Sequence, residues 1–426
     1  MKKFVDMRFL RGFSRILLGL TFIFSGFTKI IDPVGVGLIF AEYFKIIGLA
    51  AAPGICQIMG IVLSSVELLL GISLLLGIRM KVIASVTLIL VSFFTIITFF
   101  LAIFNPIHDC GCFGEAVKLT NWQSFYKNII LFICALIIYR QRDIFVPIAP
   151  THWEWILISL YALAVVTVSV YCYRHLPLID FTDYKAGKDL RENVILQKNE
   201  DQPVFETLLI YKKGNTIKEF SIENLPDSSW TFVDSRSKQV NNTVEPKSGT
   251  FAISDRNGEY ITDSILSYKG ALFITSIPYL ERLDQKIVKK IVERDTHFKS
   301  MGIKHIILTG SSFESVDEIF GNIGDLVVYY SDYKTLITLN RSNGGLVYLY
   351  DGQISAKWSH IDADRLNIES IIKEDPEIIS AKKIIKEHVT VEVFIALLLL
   401  VIFLMRLILR ITYKPNLKKD EDCSRV

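Results

Sequence analysis

Residues 11–33, RGFSRILLGLTFIFSGFTKIIDP, decide the fold class of this chain. After Arg15 the run is apolar, broken by glycine, serine and threonine, until it reaches Lys29 and then Asp32-Pro33, a pair that ends helices. A run of roughly 20 such residues is what a helix needs to cross a bilayer. No small-residue cleavage site follows it, so it reads as a retained span and not as a signal peptide.

Working outward, five further stretches pass the same test: about 54–78, 82–103, 124–141, 154–173 and 391–412. The whole chain has 426 residues, 51% of them hydrophobic, with a mean hydropathy of +0.38, which is high unless part of it lies in lipid. Segment 34–50, VGVGLIFAEYFKIIGLA, is shorter and carries Glu42 and Lys45. It reads as an interfacial or re-entrant helix on the outer face. The net charge of +3 implies no acidic partner, and nothing resembles a nucleic-acid face.

Basic residues stay cytoplasmic in short loops, and this fixes orientation. Lys2, Lys3, Arg8, Arg11 and Arg15 precede or open the first span, Arg79 and Lys81 separate the second and third, and Arg140 and Arg142 separate the fourth and fifth. Arg406, Arg410, Lys414, Lys418 and Lys419 end or follow the sixth. All four clusters fall on one side if the spans alternate. Loops 32–53 and 104–123 and the long segment 174–390 are then outside. Trp122 and Tyr126 read as outer interface anchors, and Trp153 and Trp155 as inner ones.

The long outer segment has no stretch that could span a bilayer, and it has no cysteine. Residues 180–258 read as short strands punctuated by Lys213-Gly214-Asn215, Pro226-Asp227-Ser228 and Arg256-Asn257-Gly258. Residues 268–375 alternate strand and helix: GALFITS (270–276), a helix to about Met301, KHIILTG (304–310), a helix over 312–322, LVVYY (326–330) and a helix over 331–340. GLVYLY (345–350) and QISAKW (353–358) flank Asp351-Gly352, a hairpin signal, and a helix covers about 362–374. This order implies an α/β layer and resembles the thioredoxin fold over about 260–375. The family's cysteine pair is missing, with Ser276-Ile277-Pro278-Tyr279 in its place, and Gly344 stands where the family has its proline. The segment is therefore expected to bind or dock. Within it, Asn340-Arg341-Ser342-Asn343 reads as a loop leading into the hairpin.

His108-Asp109-Cys110-Gly111-Cys112-Phe113-Gly114 sits in the outer loop after the third span. An extracytoplasmic loop is where disulfides persist. Two cysteines separated by one residue close only a strained ring, which Gly111 relaxes, and strained disulfides are labile or catalytic. Three readings stand for Cys110 and Cys112: a redox pair, a structural staple, or metal binding together with His108, for which no fourth ligand beyond Asp109 is evident. Cys56 and Cys172, near outer helix ends, are either resolving thiols or buried packing residues; Cys134 reads as packing and Cys423 as a reduced thiol in the tail. Glu67 is a carboxylate inside a span, suited to a proton relay or to pairing with Lys29 or Arg15. Gly19, Gly26, Gly71 and Gly77 read as close-packing positions.

Residues 11–33, ELLLGISLLLG (67–77) and DCGCFGE (109–115), followed by a fourth span, together resemble the DoxX/MauE family of redox-associated four-helix membrane proteins over about 8–142. The resemblance implies redox chemistry near a membrane. MauE-like members are linked to maturation of methylamine dehydrogenase and its disulfides, and DoxX-like members to quinone-coupled sulfur oxidation. The appended soluble part departs from the short members and resembles the longer DoxX-type proteins of Bacteroidetes.

The expected architecture is an α-helical membrane four-helix bundle (1–148), a fifth transmembrane helix (154–173), an extracytoplasmic thioredoxin-like α/β soluble domain (174–388), a sixth helix (391–412) and a cytoplasmic tail (413–426). The expected setting is a bacterial inner membrane with the soluble domain in the periplasm. The expected function is a thiol–disulfide or quinone-linked electron relay through Cys110 and Cys112, with Glu67 as the intramembrane carboxylate and an extracytoplasmic thiol protein as client. No cofactor is named by the residues, a quinone being the one the resemblance suggests. The alternative is an assembly factor in which the pair is structural and the soluble domain binds a client.

Overall fold

The computed structural model describes residues 2–49, 52–107, 110–145, 150–191, 205–213, 216–221, 230–239, 251–321 and 325–412. By internal contacts the chain divides into two units, one of Met1–Ala186 with Trp358–Val426, the other of Gly187–Lys357.

The first unit is helical. Its elements are α1 (Lys2–Ile30), α2 (Pro33–Ile46), α3 (Pro53–Leu76), α4 (Met80–Phe104), α5 (Asn121–Arg140) and α6 (Thr151–Arg174), with a further helix at Pro376–Thr412. Five stretches, Met7–Ile30, Pro53–Leu76, Met80–Phe104, Asn121–Arg140 and His152–Arg174, are long and apolar enough to cross a membrane among the described residues. The chain is thus a multi-pass membrane protein. The remaining expected span, 391–412, is helical as the distal part of Pro376–Thr412, most of whose last-turn side chains lie outside the described residues.

Leu18, Phe22, Leu70, Leu74, Ile83, Leu131 and Ile138 bring α1, α3, α4 and α5 into one core. The opposite faces stay apolar: Phe9, Phe13, Ile16, Leu20 and Phe24 recur along α1, and Ile89, Phe93, Ile96, Phe100 and Ile103 along α4, all exposed. Exposed apolar faces of that length are lipid-facing surface. The basic residues share one end of the bundle: Arg11 and Arg15 lie over the Phe145 ring at 5.3 and 5.6 Å, Arg79 over Trp155 at 5.5 Å, and Lys81 pairs with Asp143 at 3.0 Å. This is the arrangement that alternating spans require.

Glycine sets the spacing of α1 and α3. A Cβ at Gly26 would stand 2.6 Å from the Leu68 nitrogen, and one at Gly71 would stand 2.7 Å from the Ile23 nitrogen, so backbone meets backbone. Gly77 has another role from the one its spacing suggests. It is the left-handed cap of α3, with φ 77° and its N–H on the Ser73 carbonyl. Segment 33–46 is a helix capped by Asp32, whose carboxylate accepts from the Gly35 N–H at 2.9 Å, and its first turn is buried against α3.

The second unit holds two sheets. β1 (Phe205–Lys213), β2 (Thr216–Ser221) and β3 (Thr231–Gln239) form an antiparallel sheet in the order β2-β1-β3, with a register shift between Ile210 and Tyr211. The punctuation at Gly214, Asn215 and Pro226 lies outside the described residues. The second sheet contains β4 (Ala271–Ile277), β5 (Lys304–Thr309), β6 (Val328–Tyr330), β7 (Gly345–Tyr350) and β8 (Gln353–Trp358), in the order β6-β5-β4-β7-β8. β4, β5 and β6 are parallel and β7 is antiparallel to β4, so the expected α/β layer is a mixed sheet with helices. Asp351 and Gly352 both have positive φ, 50° and 82°, as a two-residue hairpin turn demands.

The helix expected directly after β4 begins later, at Gln285. Pro278 and the turn Leu280–Arg282 intervene, and Asp284 caps the helix by accepting from the Lys286 N–H. The third parallel strand is shorter than expected, Val328–Tyr330, and its following helix is Tyr333–Leu339, capped by Asp332. Asn340, Arg341 and Ser342 are buried, and Asn343 braces the Tyr279 backbone by donating to its carbonyl at 2.8 Å.

Candidate functional site

The site is assembled at the end of the helical bundle opposite the basic residues. Residues 105–120 join α4 to α5, and both ends of this loop are pinned by one side chain. Asn121 Nδ2 donates to Asn105 Oδ1 at 2.8 Å and to the Ile107 carbonyl at 2.6 Å. Thr120 and Gln123 form a capping box that starts α5. Inside the loop Gly111 has φ +65°, the left-handed region that glycine enters without cost. That turn places Cys110 and Cys112 on the same side.

Their sulfurs are 2.7 Å apart, and both are free thiols. Cys110 is buried and its sulfur lies 3.0 Å from Ser124 Oγ; Tyr43 Oη donates to the Cys110 carbonyl at 3.0 Å. Cys112 is half-buried. The two sulfurs differ electrostatically. The hydrogen bond from Cys110 is the largest influence on Cys112 and, with the charges of Lys127 and Lys29, outweighs burial and lowers its pKa to about 5. The same contact and burial push the Cys110 thiol up. These surroundings favour ionisation of Cys112 before Cys110, an asymmetry suited to exchange with a disulfide.

Beneath the loop lies the intramembrane carboxylate. Lys29 Nζ is 2.9 Å from both Glu67 oxygens, and both side chains are buried. This settles the partner as Lys29; Arg15 sits over Phe145 at the other end. Ser25 Oγ lies 2.7 Å from Glu67 Oε2 and 2.8 Å from the Cys112 carbonyl oxygen, and its single proton serves one acceptor at a time. Phe113 packs edge-on against Phe24, and Lys127 lies 4.5 Å over the Phe113 ring. The pair, the ion pair and Lys127 line one cavity of about 610 Å³.

Lys127 was not evident from sequence, because a lysine just past Trp122 and Tyr126 reads as an interfacial anchor. Cys56 and Cys172 are buried, and among the described residues neither sulfur contacts the pair. Cys134 packs in the bundle core. His108 and Asp109, on which the metal reading depends, and Cys423 lie outside the described residues.

In the second unit the cysteine-free segment after β4 carries Tyr279, whose ring faces Tyr333 at 5.7 Å. A buried polar chain, not foreseen, runs beside it in the sheet. His305 Nδ1 is 2.7 Å from Asp295 Oδ1, and its Nε2 is 2.9 Å from Thr275 Oγ1. Burial keeps His305 below its ordinary pKa, against the pull of Asp295. Thr275 is fully buried, so this chain braces the sheet.

Residues 7–140 match the family described as methylamine utilisation protein MauE, and residues 205–242 match a domain of unknown function, DUF8463. No curated protein and no solved structure matches the chain. The first four candidate spans and the thiol loop between the third and fourth all fall inside the first match. The protein therefore carries a MauE-like multi-pass membrane region, in which the Cys110–Cys112 loop is included, joined to a unit built on a mixed sheet.

Proposed function

We propose that the MauE-like region is a thiol–disulfide relay on the outer side of a bacterial inner membrane. In it Cys110 and Cys112 take electrons from an extracytoplasmic thiol protein during its maturation and pass them to a quinone in the bilayer. The observation that carries this reading is the pairing of two free thiols 2.7 Å apart above a cavity in the membrane bundle, in surroundings that pull Cys112 down and push Cys110 up. A staple needs neither unequal thiols nor a cavity beneath them. The family's description, methylamine utilisation, supports a maturation role, and the client here is identified only as a thiol protein.

The sheet order β6-β5-β4-β7-β8, three parallel strands followed by a hairpin, supports a thioredoxin-like reading of residues 260–375. With no cysteine in it, that segment serves as a docking module that presents the client to the relay. It lies in the periplasm under the same orientation that puts Cys110 and Cys112 outside.

Acid quenching of growing cells followed by maleimide-polymer labelling tests the relay. Both dithiol and disulfide forms of the pair are expected, and a pulse of permeant dithiol should drive the population to dithiol, with return on removal. A pair that stays wholly oxidised or wholly reduced throughout would remove the relay reading.

A further inference from the structure

A serine hydroxyl inside a helix ordinarily returns to the carbonyl four residues back, as those of Ser64, Ser65 and Ser92 do here. Ser124 does not. It lies in the first turns of α5 and is fully buried, yet the only partner of its Oγ among the described residues is the Cys110 sulfur, at 3.0 Å. A buried hydroxyl costs free energy unless it is hydrogen-bonded, so this one is committed to the sulfur. The helix that carries it is fixed by the Thr120–Gln123 capping box and by Asn121, which ties its start to Asn105 and Ile107. The hydroxyl is thus held on a rigid element, and the loop brings Cys110 to it.

The two sulfurs are unequally open. Cys110 is 6% exposed and walled by Ser124, whereas Cys112 is half-buried. A thiolate attacks a disulfide at one sulfur and expels the other, so the more open sulfur is the one reached and the buried one is the leaving group. A thiolate leaves more readily when its charge is stabilised. A hydroxyl rotates to suit its partner, so the same Oγ that can accept from a thiol can donate to a thiolate. While both thiols are free, the neighbouring Cys112 is the main influence that keeps Cys110 protonated, with burial next. The influence of a free Cys112 disappears once its sulfur is bonded to a partner, and Ser124 then acts against burial alone.

Resting on the relay reading above, we propose that the pair works in a fixed order: Cys112 is the sulfur that bonds to the client, Cys110 is the resolving sulfur, and Ser124 is the hydrogen-bond donor that holds the Cys110 thiolate. In the first step a client thiolate bonds to the Cys112 sulfur of the oxidised pair. The Cys110–Cys112 bond breaks, and its electron pair stays on Cys110 as a thiolate under the Ser124 hydroxyl. In the second step the client's other thiolate attacks the client sulfur of the mixed disulfide, and Cys112 leaves as a thiolate. The client dithiol has lost two electrons and two protons, and the pair has gained the two electrons. Both protons pass to water, from which the two thiolates regain them according to pH.

The test uses the full chain in lipid nanodiscs and two probes: glutathione disulfide for single-cysteine variants, and dithiothreitol as the dithiol that reduces the oxidised pair. Cys110→Ala, which keeps Cys112, should form its mixed disulfide with glutathione about tenfold faster than Cys112→Ala, which keeps Cys110. Ser124→Ala should slow reduction of the oxidised pair about threefold or more, since a leaving thiolate expresses about half of a one-unit pKa change. Alkylation tells a donor from a packing residue. Adding Ser124→Ala should move the pH profile of Cys110, measured in Cys112→Ala, upward by about one unit, the loss of a hydrogen bond to a charged sulfur. The profile of Cys112, measured in Cys110→Ala, should stay where it is. Mixed-disulfide formation at Cys110 as fast as at Cys112 would overturn the order, and this arm stands even if Ser124→Ala does not fold. Equal movement of both profiles, or none, would overturn the role of Ser124. Either result, with a pair that dithiothreitol still reduces and glutathione disulfide reoxidises, leaves the relay in place; a pair that does neither overturns both.

Discussion

Lys29 and Glu67 form an ion pair at 2.9 Å between two membrane helices, with both side chains buried. A lone charge at that depth is costly, whereas the pair with Ser25 beside it is not. Glu67→Leu should destabilise the protein by about 3 kcal/mol, because Lys29 is left buried without its partner. Replacing both, Lys29→Met with Glu67→Leu, should recover most of that loss in thermal unfolding. If the double variant is no more stable than the single one, the pair does not hold α1 to α3 in the way described.

The register that brings these two residues together is set one turn away. Gly26 touches the Leu68 backbone, so a Gly26→Val side chain has no flexible neighbour to displace and must push α1 from α3. Loss of thermal stability of about 2 kcal/mol or more is expected, together with slower disulfide formation by the pair. Gly12, with nothing within 4 Å of an added Cβ, is the control, and Gly12→Val should leave both unchanged. Equal effects at the two positions would contradict the close contact.

The pH dependence of the thiols follows from their unequal surroundings. An ordinary thiol near pKa 8.5 loses reactivity about tenfold per pH unit below that value. Cys112, held down to about 5 by the Cys110 hydrogen bond and the two lysines, should alkylate at a nearly constant rate from pH 8 to 6 and slow only as pH falls through its own value. Cys110→Ser removes the largest of these influences, so the profile of Cys112 should move to higher pH. Mass-spectrometric rates of iodoacetamide labelling on reduced protein give both curves, and identical profiles for the two thiols would contradict the assignment.

In the second unit, His305 is buried between Asp295 and Thr275, and burial favours its neutral form. Its folded pKa lies below the unfolded value, so its contribution is present above about pH 6.5 and is lost as pH falls through the folded value. His305→Ala should cost about 2 kcal/mol, seen as faster hydrogen exchange of β4 and β5 amides in the full-length protein. Unchanged protection at those strands would show that the chain of hydrogen bonds carries no stability.

Much of this architecture was legible in the residues because lipid imposes a simple test. Long apolar runs and the placement of Arg79, Lys81 and Arg142 fixed the spans and their alternation, and the structure gathers those basic groups with Trp155 and Asp143 at one end. Composition also marked the thiol loop, since no other two cysteines lie close in sequence. The partner of Glu67 was not legible: Lys29 and Arg15 were both candidates, and the close contact of Gly26 with Leu68 sets the register that brings Lys29 to it. Lys127 was missed because its role depends on a loop folding back over it. His305 was missed because a histidine in a strand carries no pattern that reveals an aspartate on the neighbouring helix. The late start of the helix after β4 was foreshadowed by Pro278 and by Asp284, a good cap.

The most direct measurement is a redox titration of the purified full-length protein in nanodiscs against glutathione or dithiothreitol buffers, with Cys110 and Cys112 counted by alkylation at each poise. A single two-electron transition is expected at a potential less negative than about −300 mV, the range of labile and catalytic disulfides rather than structural ones. A pair that stays oxidised well below that value, or that never forms a disulfide at any poise, would contradict the relay.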